Sequence, residues 1–396
     1  MKILHTSDWH LGAKTDRRSR LAEQRKVLNE IISVCDREAV DIVLIAGDIY
    51  DQAVPTSEAE DLFFDTLEKL TDNGDRVVIV SAGNHDDPKR IMANKYFAKK
   101  HNIVLAGDLH PVTDVKRGSR AKITCTEHGT IKVEIEGREK TETAWFGLLP
   151  YPTEYRIAEK SNADTYSKKV GEWANLVCTD FNKKDFCCIV SHFTAVGAEY
   201  EEVGKFRRIS INESGVVNLS DLPRADYYAL GHLHSEQRLG SCAYYSGAPL
   251  KLSYIQKTTS VNLLDVDNGK LKSVEQINLV SPVKMEKVCA VGLENVAEEL
   301  QYFSTEDIVE LTIVQDKPLL STEIKGIKER YPCVQQIKLM LTNMAKDNEI
   351  YINNRDKLEP KELFENFYKQ VKGVAPSQKI VSLFVELMEE TDSETN

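Results

Sequence analysis

The sequence predicts a layered α/β fold built on a parallel sheet, and three observations carry that expectation. Apolar runs at Ile3-Leu4, 42–46 and 77–80 alternate with amphipathic stretches, the βαβαβ order of strands with helices packed on them. The 42–46 run is continuously apolar, as a parallel strand buried on both faces should be. Each run ends in a short block rich in Asp, His, Asn and Gly, where parallel sheets place their ligand sites.

Taken in order, the first strand opens into Asp8-Trp9-His10. A basic loop with Lys14, Arg17, Arg18 and Arg20 follows, then a helix to about residue 38 with Leu28, Ile31, Ile32 and Cys35 at core-facing spacing. The 42–46 strand delivers Gly47-Asp48-Ile49-Tyr50-Asp51. Ser57-x-x-Glu60 reads as a capping box for a helix to about residue 70, stopped by Asn73-Gly74. The third strand delivers Gly83-Asn84-His85-Asp86. Short alternating runs over 112–147 suggest a β-rich insertion or a second sheet. A helix with Trp173, Leu176 and Val177 precedes a strand ending in Ser191-His192. Residues 195–224 read as a loop with an acidic patch, Glu199, Glu201 and Glu202. A short strand at 227–230 then leads into Gly231-His232-Leu233-His234, and Asp267-Asn268-Gly269 is a hairpin turn.

Val280-Ser281-Pro282 is the expected boundary of a first domain, 1–281. Strands near 287, 310 and 337 alternating with helices near 295 and 325 make a small α/β domain of 282–342. Polar residues 343–357 read as a linker. Two short amphipathic helices follow, one with Leu363, Phe364 and Phe367 and one with Ile380, Leu383, Phe384 and Leu387.

A chain of 396 residues has room for two or three domains, and 41% hydrophobic with 29% charged residues marks a soluble globular protein. No run approaches the eighteen or so apolar residues of a membrane span, and the N-terminus leads into a strand rather than a signal peptide. Eight cysteines without a Cys-x-x-Cys pair read as reduced residues of a cytoplasmic protein. A net charge of −11 argues against a broad nucleic-acid-binding face, but says little about a site whose cations are bound metals.

The chemistry lies in five blocks: Asp8 with His10, Asp48, Asn84 with His85, His192, and His232 with His234. Five of the nine histidines fall in them. Carboxylate, imidazole and amide donors without thiolate suit manganese, iron or zinc and disfavour copper(I). Seven donors are too many for one ion, and two ions sharing Asp48 is the economical arrangement. A metal pair about 3.5–4 Å apart is suited to displacement at phosphorus. Asn84 fills a coordination position without negative charge that would repel a phosphate. His85, in excess of the donor count, is free to touch substrate, either to stabilise the pentacoordinate phosphorus or to protonate the leaving oxygen. The glycines before Asp48, Asn84 and His232 fit turns where backbone approaches the ions closely.

The stretches ILHTSDWHLG, IAGDIYD, SAGNHD and ALGHLH followed by YYSGAPL resemble the calcineurin-like metallophosphoesterase superfamily over residues 1 to about 255. They are more similar to its DNA-repair nucleases than to its protein phosphatases, where GDxVDRG and GNHE are expected. The resemblance implies a four-layer α/β/β/α sandwich with a smaller α/β capping domain and C-terminal helices. It implies two divalent ions, most often Mn(2+), one on Asp8, His10, Asp48 and His234 and the other on Asp48, Asn84, His192 and His232. His85 is then the catalytic histidine. The implied activity is 3′ to 5′ exonuclease on duplex ends and endonuclease on single strands or hairpins, in DNA repair, recombination and replication. The implied partner is a coiled-coil ATPase, with the chain as a homodimer within a heterotetramer. Repair nucleases outside bacteria commonly carry a histidine where this chain has Asp51, which leaves the role of that position open.

No Walker-type phosphate loop occurs, so any ATP dependence comes from another chain. Lys14, Arg17, Arg18 and Arg20, beside the metal loop, are candidates for DNA backbone phosphates or a solvated loop. Phe364, Phe367, Phe384 and Leu387 either dock on the ATPase or pack back on the chain. The competing functions are a small-substrate phosphodiesterase or phosphatase of the same superfamily, and a scaffold that keeps the fold without chemistry.

Overall fold

The computed structural model describes residues 1–342 except 17, 108–119, 138–139, 159–160, 162, 203–204 and 210–214. Beyond 342 it describes 364, 365, 368, 376–378, 380–382 and 384, and it gives 201, 202 and 205–208 through their backbone alone. The chain divides into two compact units, Met1–Glu286 with Glu306–Ile308, and Lys287–Thr305 with Val309–Asn396.

In the first unit the apolar runs form strands β1 (Lys2–Thr6), β2 (Ile42–Ala46), β3 (Val77–Ser81) and β4 (Ile103–Ala106), joined by helices α1 (Leu21–Arg37) and α2 (Ser57–Leu70). β1 to β4 run parallel to one another. A returning hairpin, β12 (Ser260–Asp267) and β13 (Lys270–Asn278), adds antiparallel strands to the β1 edge, giving the order β13-β12-β1-β2-β3-β4. The second sheet holds β5 (Ala121–Cys125), β6 (Ile131–Glu136), β7 (Thr141–Leu149), β8 (Phe186–His192), β9 (Tyr227–Gly231), β10 (Gln237–Leu239) and β11 (Ala243–Tyr245), in the order β10-β11-β9-β8-β7-β6-β5. The stretch read as an insertion or second sheet is therefore part of that sheet.

Side chains alternate across a strand, so one sheet serves two cores. Leu4, Val43, Ile45, Val78 and Val80 face α1 and α2. Ile3, Ile42, Leu44 and Ile79 face the second sheet, where Phe146, Phe186, Val190 and Tyr227 meet them. The outer face of the second sheet is covered by helix α3 (Tyr166–Val177) through Val170, Trp173, Ala174 and Val177. These are the four layers α/β/β/α. Each fully buried aliphatic side chain contributes roughly 1.5–3 kcal/mol.

Several local expectations shift. Thr56, not Ser57, caps α2 by accepting from the Ala59 amide, because Ser57 is already the first helical residue. Leu176 is 55% exposed on the outer face of α3. The stretch 195–224 carries short ladders at Thr194–Ala195, Glu199–Glu202, Lys205–Arg208 and Val216–Val217 rather than being loop throughout. Among the described residues no helix is long and apolar enough to cross a membrane. All eight cysteines are free.

The second unit is centred on a three-stranded sheet of β14 (Met285–Val291), β15 (Ile308–Gln315) and β16 (Val334–Leu341), whose first two strands begin on residues of the preceding unit. Val288, Ala290, Leu311, Ile313 and Val334 pack with Ile327 of the Ser321–Arg330 helix. The expected linker over 343–357 and the residues Leu363, Phe367, Leu383 and Leu387 lie outside the described residues. Phe364 and Phe384 stack on each other, ring centroids 4.1 Å apart and the ring planes nearly parallel.

Candidate metal centre

Every predicted block follows the carboxyl end of a parallel strand, and the two sheets bring those ends to one place. Asp8 and His10 follow β1, Asp48 follows β2, Asn84 and His85 follow β3, His192 ends β8, and His232 and His234 follow β9. Main-chain bonds knit the first two loops together. The Asp8 amide donates to Gly47 O at 3.0 Å, and the His10 amide to Asp48 O at 3.0 Å. Asp8, His10, Asp48 and His232 take left-handed backbone, with φ of 54°, 45°, 50° and 99°. Non-glycine residues hold such conformations at a cost of about 1–3 kcal/mol each, and they cluster where function fixes a side chain.

Three groups of donor atoms lie within 4.8 Å of one another: Asp8, His10 and His234; His10, Asp48 and His85; and Asp48, His192 and His232. Asp48 Oδ2 is 3.5 Å from His10 Nε2 and 3.2 Å from His192 Nε2, so one carboxylate reaches both halves. Asn84 Oδ1 accepts at 3.0 Å from His192 Nε2 and lies 2.9 Å from His232 Nδ1. His192 Nδ1 donates to Ala46 O at 2.8 Å, which turns Nε2 toward the carboxylate, the way metal-binding imidazoles are oriented. His10 Nε2 is buried and has no hydrogen-bond partner. An unpaired imidazole nitrogen beside a buried carboxylate is costly by itself, and a cation satisfies both. The donor set fits divalent metal.

The electrostatics agree. Burial pulls the His192 imidazole down, but the charge and hydrogen bond of Asp48 outweigh it and push its pKa up to about 9. Burial raises Asp48, and His192 and His10 overcome it, holding the carboxyl well below the usual carboxylate range. Burial, aided by charged His192, lowers His232 to about 4.

The glycines expected at close approaches are close. A Cβ on Gly47 would strike the His192 ring, one on Gly83 the Asp48 carboxylate, and one on Gly231 the Ala46 carbonyl. His85 is exposed, packs its ring on His10 at 4.8 Å, and donates Nδ1–H to Asp51 O at 2.8 Å while its amide donates to Asp48 Oδ1 at 2.9 Å. The Asp51 carboxylate is 3.6 Å from His10 Nδ1.

Supporting residues were missed from sequence. Asp86 accepts from the amides of Gly83, Ile49 and Tyr50 at 2.8, 3.1 and 2.9 Å, fastening the loops after β2 and β3. Ser7 donates to Asp8 and meets Ser246 at 2.8 Å. Gln24 Nε2 donates to the Trp9 and His10 carbonyls. Tyr151, after β7, lies 6.1 and 6.2 Å from the His232 and His192 rings. Asp86 sits in the Gly83-Asn84-His85-Asp86 block, the signal that could have found it.

The four basic candidates separate. Lys14 is exposed and Arg17 lies outside the described residues. Arg18 pairs with Glu23 at 2.9 Å and Glu306 at 3.4 Å. Arg20 is only 1% exposed, bound to Glu23 at 2.6 Å and to Lys251 O at 3.1 Å, so its guanidinium holds the fold together instead of facing solvent.

Comparison with known proteins bears on the same residues. The calcineurin-like phosphoesterase family model matches residues 1–236. The chain is 30% identical to the D subunit of the SbcCD nuclease of Bacillus subtilis (strain 168), with 100% of this chain and 99% of the relative covered. It is 30% identical to the protein of the same name in Escherichia coli (strain K12), over 70% of this chain and 68% of the relative. It is 23% identical to that of Staphylococcus epidermidis, over 94% and 93%.

Proposed function

The chain belongs to the calcineurin-like phosphoesterase family, alongside the D subunits of SbcCD nucleases, and from that premise we propose that it is the metal-dependent DNA nuclease component of such a complex. It cleaves duplex ends 3′ to 5′ and cuts single strands or hairpins, together with an SbcC-like coiled-coil ATPase. The observation that carries this is the complete donor set at the facing strand ends, in a chain similar to a nuclease subunit over its whole length.

In this reading Asp8, His10, Asp48 and His234 would hold one divalent ion and Asp48, Asn84, His192 and His232 the other, with Mn(2+) the ion expected from the family. When bound, the pair supplies Lewis acidity, an activated water and charge neutralisation at the phosphate. The chain's own residues do the rest. Asp48 would serve both ions, because among the described residues its carboxylate pairs with imidazoles of both halves. Asn84 adds an oxygen donor without adding charge. His85, its Nδ1–H held by Asp51 O, directs Nε2 away from that anchor and, when charged, gives its proton to the leaving oxygen. Residues 282–342 serve as a capping domain. The helical segments within 343–396, carrying Phe364, Phe367, Phe384 and Leu387, dock on the ATPase coiled coil of a heterotetramer built on a homodimer of this chain.

The test is manganese-dependent cleavage of end-labelled duplex and hairpin DNA, with and without the ATPase partner. Shortening from 3′ ends and opening of hairpins are expected. Intact DNA under both conditions, with the ions bound, sinks the proposal.

A further inference from the structure

One polar group at the centre has no work in this mechanism. Tyr151 stands just past the carboxyl end of β7, as the donor blocks stand past theirs. Its ring lies against His232 at 6.1 Å with a 33° tilt and near His192 at 6.2 Å, the two imidazoles of one half of the centre. His85 stands against the other half, 4.8 Å from His10. His85 and Tyr151, neither of them a proposed metal donor, thus flank different halves.

The Tyr151 backbone is fixed. Its amide donates to Ala82 O at 2.9 Å, next to the Gly83-Asn84 loop, and its carbonyl accepts from the Thr153 amide at 3.0 Å and from Arg156 Nη1 at 3.4 Å. The next residue is held as well, since Tyr166 Oη donates to Pro152 O at 2.7 Å. The side chain is half-buried, and its hydroxyl has no hydrogen-bond partner among the described residues. A rigidly mounted donor with no protein acceptor, beside a site built for cations, is matched by an anionic oxygen.

We propose that Tyr151 is a substrate-binding catalytic residue whose hydroxyl donates a hydrogen bond to a non-bridging oxygen of the phosphodiester held at the His192–His232 half. This rests on the phosphodiesterase reading above and does not depend on the diester being DNA. Tyr151 and His85 then divide the substrate between them. Tyr151 steadies the oxygens that keep their charge, and His85 serves the oxygen that leaves.

The test compares the full-length wild type with Tyr151→Phe, which keeps the ring and removes the hydroxyl. Turnover of bis(p-nitrophenyl) phosphate and of DNA is measured with manganese, and calorimetry reads the binding of manganese alone and then of inorganic phosphate to the loaded chain. Expected are a roughly 10–100-fold loss in kcat/KM and a weaker affinity for phosphate, the scale of one hydrogen bond to a charged group, with manganese affinity and stoichiometry unchanged. Wild-type phosphate affinity and turnover in Tyr151→Phe overturn the proposal. So does a parallel loss of manganese, which would make Tyr151 a prop for the histidines. If the wild type cleaves the aryl diester and leaves DNA intact, the nuclease reading fails while the Tyr151 comparison still decides this one.

Discussion

The two sheets contribute to the metal centre in different ways. The loops after β1, β2 and β3 supply both carboxylates, Asp8 and Asp48, and hold them in left-handed backbone through amide bonds from loop to loop. The strand ends of the second sheet supply only imidazoles, and His192 is still within regular strand. The first half supplies the charge, and the second adds imidazoles, of which His192 is aimed by the Ala46 carbonyl. Of the four left-handed residues at the centre, Asp8, His10 and Asp48 lie in the half that carries the charge and His232 in the other.

The substitution with the largest expected effect tests that division directly. Asp48→Ala removes the one carboxylate that reaches both halves, so both ions should be lost in calorimetry and diester turnover should fall on the order of 10³-fold or more. Two ions bound at ordinary affinity in Asp48→Ala would erase the distinction between the halves. His85→Ala sharpens the comparison from the other direction. It should keep both ions and lose about 10²–10⁴-fold in turnover, the usual worth of a positioned proton donor. Normal cleavage by a metal-loaded His85→Ala chain would remove His85 from the chemistry.

Much of this was legible in the sequence because the parts that carry it are local. A continuous apolar run ending in Gly-Asp or Gly-Asn-His states both the strand and what it delivers, so the βαβαβ order and the convergence of the seven candidate donors could be read directly. What could not be read depends on distant pairs. Arg20 looked like a free cation in a basic loop, and only the fold brings Glu23 and the Lys251 carbonyl around it. Leu176 matched the apolar face of its helix by type but lies on the outer face by angle. Tyr151 carries no motif, since its meaning comes from strand β7 ending beside β8.

The next effect concerns stability. Asp86→Asn keeps the shape of the side chain that fastens two first-sheet loops, but turns an amide NH2 toward backbone N–H groups. Leaving such buried donors unsatisfied costs about 1–3 kcal/mol, which urea unfolding of the metal-free chain should register. An unchanged midpoint would mean that the first half is not held by Asp86.

The smallest effect is a single proton, and it belongs to the second half. In the metal-free chain burial opposes the charged form of His192, yet Asp48 prevails and its pKa stands at about 9 against 6.5 for an ordinary histidine. A raised folded-state value means that the His192–Asp48 pair contributes stability fully below about 6.5 and loses it as pH rises through about 9. Thermal melts of the chelator-stripped wild type should therefore lose ground to His192→Gln over that window, because the variant has no proton to give up there. The same proton competes with metal, since a ligand imidazole must be neutral. Manganese uptake at neutral pH should release protons, seen as a binding heat that depends on the ionisation enthalpy of the buffer, and His192→Gln should release fewer. Equal buffer dependence in the two chains would place the displaced proton elsewhere and leave His192 neutral from the start. The second half would then be a neutral cage with or without the ions, and its difference from the first would be one of geometry alone.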